Sequence, residues 1–302
     1  MTEDWENGGF GIYIHWPFCT AKCPYCDFNS HVRSNINQKQ WLKAYLNEIK
    51  RVSEKTSNRI LNSVFFGGGT PSLIEPSIIG DVLNEIQKHW KTKNNFEVTL
   101  EANPGSVDAK NFKAYKEAGV NRTSMGIQSL NTKDLKALGR THTVEEALAA
   151  FEIARQNFKA VSFDLIYARQ NQNISQWEKE LSLALSLEAS HMSLYQLTIE
   201  QGTAFGDRYN RGLLKGLPND DTSADMYDLT LSLCEDRGLV SYEVSNYAHQ
   251  GYESIHNLIY WRYGDYIGIG PGAHGRLTID GKKYATETVL SPEAWLKKVA
   301  VS

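Results

Sequence analysis

Six short apolar runs recur along the chain with amphipathic segments between them, and this rhythm restricts the fold more than any other feature. The runs are Gly11 to His15, Ser63 to Phe66, Glu97 to Glu101, Arg122 to Ile127, Ala160 to Ile166 and His191 to Leu197. Most are apolar enough for burial on both faces, which is the pattern of parallel strands. The intervening segments carry helical periodicity. Trp41, Tyr45 and Ile49 share one face of a helix expected from about Gln38 to Lys55, Phe112, Tyr115 and Ala118 line another that ends at Gly119, and Val144, Leu148 and Phe151 line a third. Six such units predict an α/β fold, a parallel sheet curled into a partial (β/α)6-type barrel with its site at the carboxyl ends of the strands. A chain of 302 residues, 41% hydrophobic, can bury one large core, and no repeat, low-complexity tract or Pro-rich linker divides it.

Directly after the first run come three cysteines, Cys19-x3-Cys23-x2-Cys26. Three thiolates on one short loop can hold three irons of a 4Fe-4S cubane and leave the fourth iron open to a small molecule. Two blander readings stand beside this one. A structural zinc wants four closed ligands, and the remaining cysteine, Cys234, lies far away in the amphipathic run Met226 to Cys234, where it reads as core. A CxxC redox pair leaves Cys19 without a role.

The other expected strand ends are also unusual. Gly67-Gly68-Gly69-Thr70-Pro71 follows the second, and its bare backbone can approach a polar ligand or simply turn tightly. Glu101 and Asn103-Pro104 end the third, Gly126-Ile127-Gln128-Ser129 the fourth, and Asp164 lies near the end of the fifth. Any one of these polar residues can be a helix cap; their convergence on one rim favours a site.

Net charge is only -3 with a pI near 6.3, so no basic field for nucleic acid is implied. Lys43, Glu48, Lys50, Arg51, Glu54 and Lys55 read as the solvated face of their helix. The acidic start Met1 to Glu6 is unlike a signal peptide, and no stretch is long and apolar enough to span a membrane, although peripheral membrane contact stays open. A cluster-type cysteine set without an export signal points to a cytoplasmic location.

The cysteine loop, the Gly67 to Pro71 segment and the strand pattern together resemble a radical S-adenosylmethionine protein. More narrowly, Tyr13-Ile14-His15-Trp16-Pro17-Phe18-Cys19, Ser124 to Ser129, Tyr242 to Ala248 and Gly268 to Gly275 resemble the HemW haem chaperones, within the oxygen-independent coproporphyrinogen III oxidase family. The resemblance spans nearly the whole chain. It implies that Cys19, Cys23 and Cys26 hold a 4Fe-4S cluster, whose open iron is chelated by S-adenosylmethionine, and that Tyr13, Tyr25, Gly68, Gly69, Thr70, Glu101, Gln128, Arg140 and Asp164 surround that cofactor. It implies a radical S-adenosylmethionine barrel over residues 1–235 and, packed on it, an extension over 236–302.

Two details favour the chaperone branch over the oxidases. The oxidases resembled here have a further cysteine two residues beyond the last ligand, where this chain has Phe28. The chain also contains His256-Asn257-Leu258-Ile259-Tyr260, which matches the HNxxY motif associated with haem in the chaperones. Imidazole and phenolate oxygen are both known axial ligands; without the family match, His256 and Tyr260 would read as ordinary packing residues. Two departures stand out: Ala168-Arg169-Gln170 replaces the Gly-Leu-Pro type turn of many relatives, and Ser302 falls where relatives continue into a small C-terminal domain, which this chain is expected to lack. The resulting expectation is a haem chaperone that passes haem to an acceptor protein of unknown identity. The alternatives are an oxygen-independent coproporphyrinogen III oxidase and a cluster-based redox or iron sensor.

Overall fold

The computed structural model describes residues 4–106 and 109–301, so the first three residues of the acidic start lie outside it. All six expected strands form: β1 (Phe10–Trp16), β2 (Ile60–Gly68), β3 (Lys91–Ala102), β4 (Arg122–Gln128), β5 (Ala160–Tyr167) and β6 (His191–Gln196). They lie parallel and in chain order, with Ile12 opposite Val64 and Asp164 opposite Ser193. Period-two alternation sorts their side chains. Phe10, Ile12, Ile14 and Trp16 of β1 are buried towards the helices, while Gly11, Tyr13 and His15 face the other side.

The longer helices cover one face, and the short Ala204–Asn210 helix instead sits at the carboxyl rim, where the Phe205 N–H donates to the Pro24 carbonyl. From Gln38 to Glu235 the helices are α1 (Gln38–Ser53), α2 (Pro76–His89), α3 (Ala109–Glu117), α4 (Thr132–Ala137), α5 (Val144–Asn157), α6 (Ile174–Leu185), α7 (Ala204–Asn210) and α8 (Asp220–Glu235). Sequence explains their limits: Thr143 and Glu146 form a reciprocal capping box at the start of α5, as do Asn173 and Gln176 at α6. Gly119, at φ 110, closes the turn after α3. On α1 one expectation fails. Glu48 is buried rather than solvated, because the guanidinium of Arg51 one turn on pairs with it at 2.7 Å. Cys234 is buried in the core, as expected.

Residues 236–301 do not stand apart. β7 (Val240–Ser241) and β8 (Asn246–Ala248) extend the β6 edge in antiparallel fashion, whereas β9 (Asp265–Ile269), β10 (His274–Ile279) and β11 (Lys282–Glu287) extend the β1 edge. β9 is parallel to β1, with Ile12 opposite Ile267. Between these two groups α9 (Ile255–Trp261) lies against the face of the sheet opposite the helix layer, near β1, β2 and β9. Buried Glu97 of β3 seats it, accepting from the backbone N–H groups of Ile255 and His256 at 3.1 Å each, where the helix dipole favours an anion. Arg122 stands 3.5 Å from Glu97 and donates to the carbonyl of Tyr252. The last helix, α10 (Pro292–Val301), packs on α1, and Trp295 stacks on Trp41 with centroids 5.5 Å apart.

Candidate cluster and cofactor site

The segment after β1 is pinned to the segment after β2 by backbone hydrogen bonds. Gly69 donates to the Trp16 carbonyl at 2.7 Å and Thr70 to that of Phe18 at 2.8 Å. A β-carbon on Gly69 would lie 2.6 Å from the Phe18 oxygen, so only glycine permits the contact. Phe18–Cys19 then pairs briefly with His31–Val32, which closes the intervening cysteine loop at its base. Behind it Trp16, Phe18 and Trp41 pack edge to face, with centroids 5.1–5.9 Å apart.

The loop opens onto a cavity of about 420 Å³ at the carboxyl ends of the strands. Cys19, Cys23 and Cys26 all line it, and all are free thiols. Gly68, Gly69 and Thr70 line it from β2, Glu101 from β3, Gln128 from β4, Asp164 from β5, and Tyr25 and Arg140 from the loops. The structure therefore brings together eleven of the fourteen residues singled out above. Tyr13, His256 and Tyr260 do not line this cavity.

Its electrostatics follow from burial. The Glu101 carboxyl is pushed up to about 8 by desolvation and by the neighbouring Asp164, although the Gly68 N–H donates to it at 3.1 Å. Burial also raises Asp164 to about 6, against the hydrogen bond from Ser124 Oγ at 3.0 Å. Glu101 of β3, Asp164 of β5 and Tyr195 of β6 all line this one cavity, around which the carboxyl ends of the strands gather. Burial raises the thiols of Cys19 and Cys26, so metal binding would have to displace their protons.

Arg140 reaches across the mouth. Its Nη1 donates to Cys23 Sγ at 3.2 Å and its Nη2 to the Gly126 carbonyl at 2.7 Å, while Nε is buried without a partner. Gln128 holds φ 74 where β4 ends in a register shift, a left-handed conformation that costs a non-glycine residue about 1–3 kcal/mol and gathers at ligand sites. Sequence reading missed Tyr195, which lines the cavity beside Asp164. Alternation from His191 through Ser193 places Tyr195 on the concave face, and that signal was available.

Tyr13 lies beneath, its phenol 3.0 Å from Nδ1 of His15, whose Nε2 is 2.9 Å from the Asn29 carbonyl. Asn29 in turn donates to the carbonyls of Pro271 and Leu290, each at 2.9 Å, and so ties the cysteine loop to the C-terminal segment. His256 is buried on α9 with both ring nitrogens engaged, Nδ1 2.8 Å from Ser63 Oγ and Nε2 2.7 Å from the Tyr260 phenol. Burial drives its pKa down to about 3. Its ring stacks on Phe65 with centroids 5.1 Å apart.

A curved parallel sheet with a three-thiol loop on its carboxyl rim defines the class, and comparison with known proteins agrees. The Radical SAM superfamily model matches residues 13–184. The heme chaperone HemW of Haemophilus influenzae is 43% identical over 273 residues, covering 88% of this chain and 70% of that protein. HemW of Escherichia coli is 38% identical over 95% of this chain and 75% of its own length. The mitochondrial radical S-adenosyl methionine domain-containing protein 1 of Danio rerio is 40% identical over 95% of this chain and 66% of its own length. Among solved structures, E. coli coproporphyrinogen III oxidase (HemN), described as a radical SAM enzyme, superposes with a TM-score of 0.81 at 19% identity, over 97% of this chain and 70% of that one, a likeness of fold. The chain belongs to the radical SAM superfamily and, within it, to the HemW family. It spans 66–75% of the length of these curated relatives.

The superfamily implies a 4Fe-4S cluster and S-adenosylmethionine, and the residues present fit both. Three free thiols face one cavity, an unpartnered guanidinium nitrogen and two buried carboxylates offer contacts to a zwitterionic ligand, and Gly69 keeps the wall thin. Among the described residues, no three His, Cys, Asp or Glu side chains are gathered to hold a metal ion. Thiolates around one zinc would crowd to about 4 Å of each other, whereas a cubane takes each thiolate on a different iron.

Proposed function

We propose that this chain is a cytoplasmic haem chaperone, which binds a 4Fe-4S cluster, S-adenosylmethionine and haem and passes haem to an acceptor protein. The observation that carries the reading is the single cavity shared by the three thiols and the rim residues of β2 to β5, in a chain 38–43% identical to proteins named heme chaperone HemW. Cys19, Cys23 and Cys26 would hold the cluster, which when bound supplies an open iron and a one-electron reductant. Arg140 can pair with the cofactor carboxylate, the backbone at Gly68, Gly69 and Thr70 with its ammonium group, and Glu101 and Asp164 can accept from amine or ribose hydroxyls. Tyr25 can pack beside the adenine, Gln128 offers its amide, and Tyr13 supports the rim from below. In this reading residues 1–235 form the cofactor-binding barrel, and the extension 236–302 supplies the haem site, with His256 as the iron ligand and Tyr260 beside it.

Among the described residues no helix is long and apolar enough to cross a membrane. The test is an anaerobic haem titration of the cluster-reconstituted protein followed by Soret absorbance. Saturable one-to-one binding supports the proposal. Failure to saturate sinks it and returns coproporphyrinogen III turnover to the front.

A further inference from the structure

The loop after β5 carries Ala168 at φ 56 and Asn171 at φ 59, a left-handed conformation unfavourable for alanine. Between them the buried side chain of Arg169 makes three connections. Its Nη1 donates to the Ile166 carbonyl, and its Nη2 lies 2.8 Å from Asp134 of α4 and 2.5 Å from Glu180 of α6. The second oxygen of Glu180 accepts from Ser129 Oγ at 2.6 Å and from the Leu130 N–H at 2.7 Å, just past the end of β4. One guanidinium therefore joins the ends of β4 and β5 to α4 and α6.

α4 leads to the cavity. Beyond it the Arg140 N–H closes on the Leu135 carbonyl at 2.9 Å, and a β-carbon on Gly139 would lie 2.6 Å from Pro24 Cδ in the cysteine loop. Arg140 then bonds Cys23 and Gly126. Arg169, Asp134 and Glu180 do not themselves line the cavity. We infer that Arg169 is a positioning residue: through Asp134 it fixes α4, and so sets the Arg140 guanidinium against Cys23 for the carboxylate of S-adenosylmethionine. The inference rests on the role given to Arg140 above. A planar fork with one nitrogen on the Ile166 carbonyl and the other shared by two carboxylates fixes direction as well as distance, which a point charge cannot do.

The test compares Asp134→Asn, Arg169→Lys and Arg140→Lys in the cluster-reconstituted protein. S-adenosylmethionine affinity, its effect on the electron paramagnetic resonance of the reduced cluster, iron content and melting midpoint are read together. Asp134 is 28% exposed, so Asp134→Asn loosens the tether while the buried pair of Arg169 with Glu180 remains, and it guards against misfolding of Arg169→Lys. Expected is affinity weakened roughly tenfold in both variants, with an altered resonance but iron content and, for Asp134→Asn, melting midpoint near the parent. Parental affinity and resonance in both, alongside weakened binding in Arg140→Lys, would overturn the inference. Parental binding in Arg140→Lys would instead overturn the Arg140 assignment and the inference with it.

Discussion

The Nε2 atom of His256 lies 2.7 Å from the phenol oxygen of Tyr260, one helical turn away, so the first and last residues of the HNxxY motif satisfy each other. Haem ligation by Nε2 requires this bond to break. Tyr260→Phe removes the competitor and keeps the ring packed against Tyr266. If His256 is the ligand, the Soret titration should show haem bound at least as tightly as in the parent, whereas His256→Ala should lose binding. Loss in Tyr260→Phe with binding kept in His256→Ala would assign the ligand to Tyr260 instead.

The buried carboxylates predict a pH dependence whose sign can be worked out. Glu101 holds its proton up to about 8 in the fold but only to about 4 when unfolded, so across that window the folded state binds more protons. Its stability therefore falls as pH rises and levels off above about 8. Asp164 acts in the same sense up to about 6. His142 and His256, lowered by burial to about 4 and about 3, act oppositely below the ordinary histidine range. The clean window thus runs from about pH 6.5 to about pH 8. Denaturant midpoints of the cluster-free protein should fall across it, and Glu101→Gln should flatten the slope.

Gly69→Ala forces a methyl group onto the Phe18 carbonyl, where the close pairing of two backbones leaves no room. Strain of about 1–3 kcal/mol is expected. Thermal unfolding should show it, and iron content after reconstitution should drop as the base of the cysteine loop is displaced. Unchanged stability and iron content would contradict the role given to this contact.

Much of this was legible in the sequence, because alternation and periodicity are local. The six parallel strands, α1 and α5 were each announced by their own residues. Glu48 was misread because one residue's charge says nothing of where Arg51 will fold over it. The seat of α9 on Glu97 and Arg122 was invisible for a stronger reason. Those residues read as the starts of strands, and their partners lie some 130–160 positions on. Tyr195 could have been found by carrying the alternation of β6 to its end.

The flanking of β1 bears on how the molecule is made. Phe10 is synthesised long before Asp265, the residue it sits opposite, and the cysteine loop is fastened through Asn29 to Leu290. Contacts so distant in sequence form late and slowly. While most of the chain is being translated, the three thiols hang on a strand with one edge unpaired. A loop in its final shape exists only after residue 290 has been added, so cluster insertion into the finished site waits for that residue, and the nascent cysteines need a reducing environment until then.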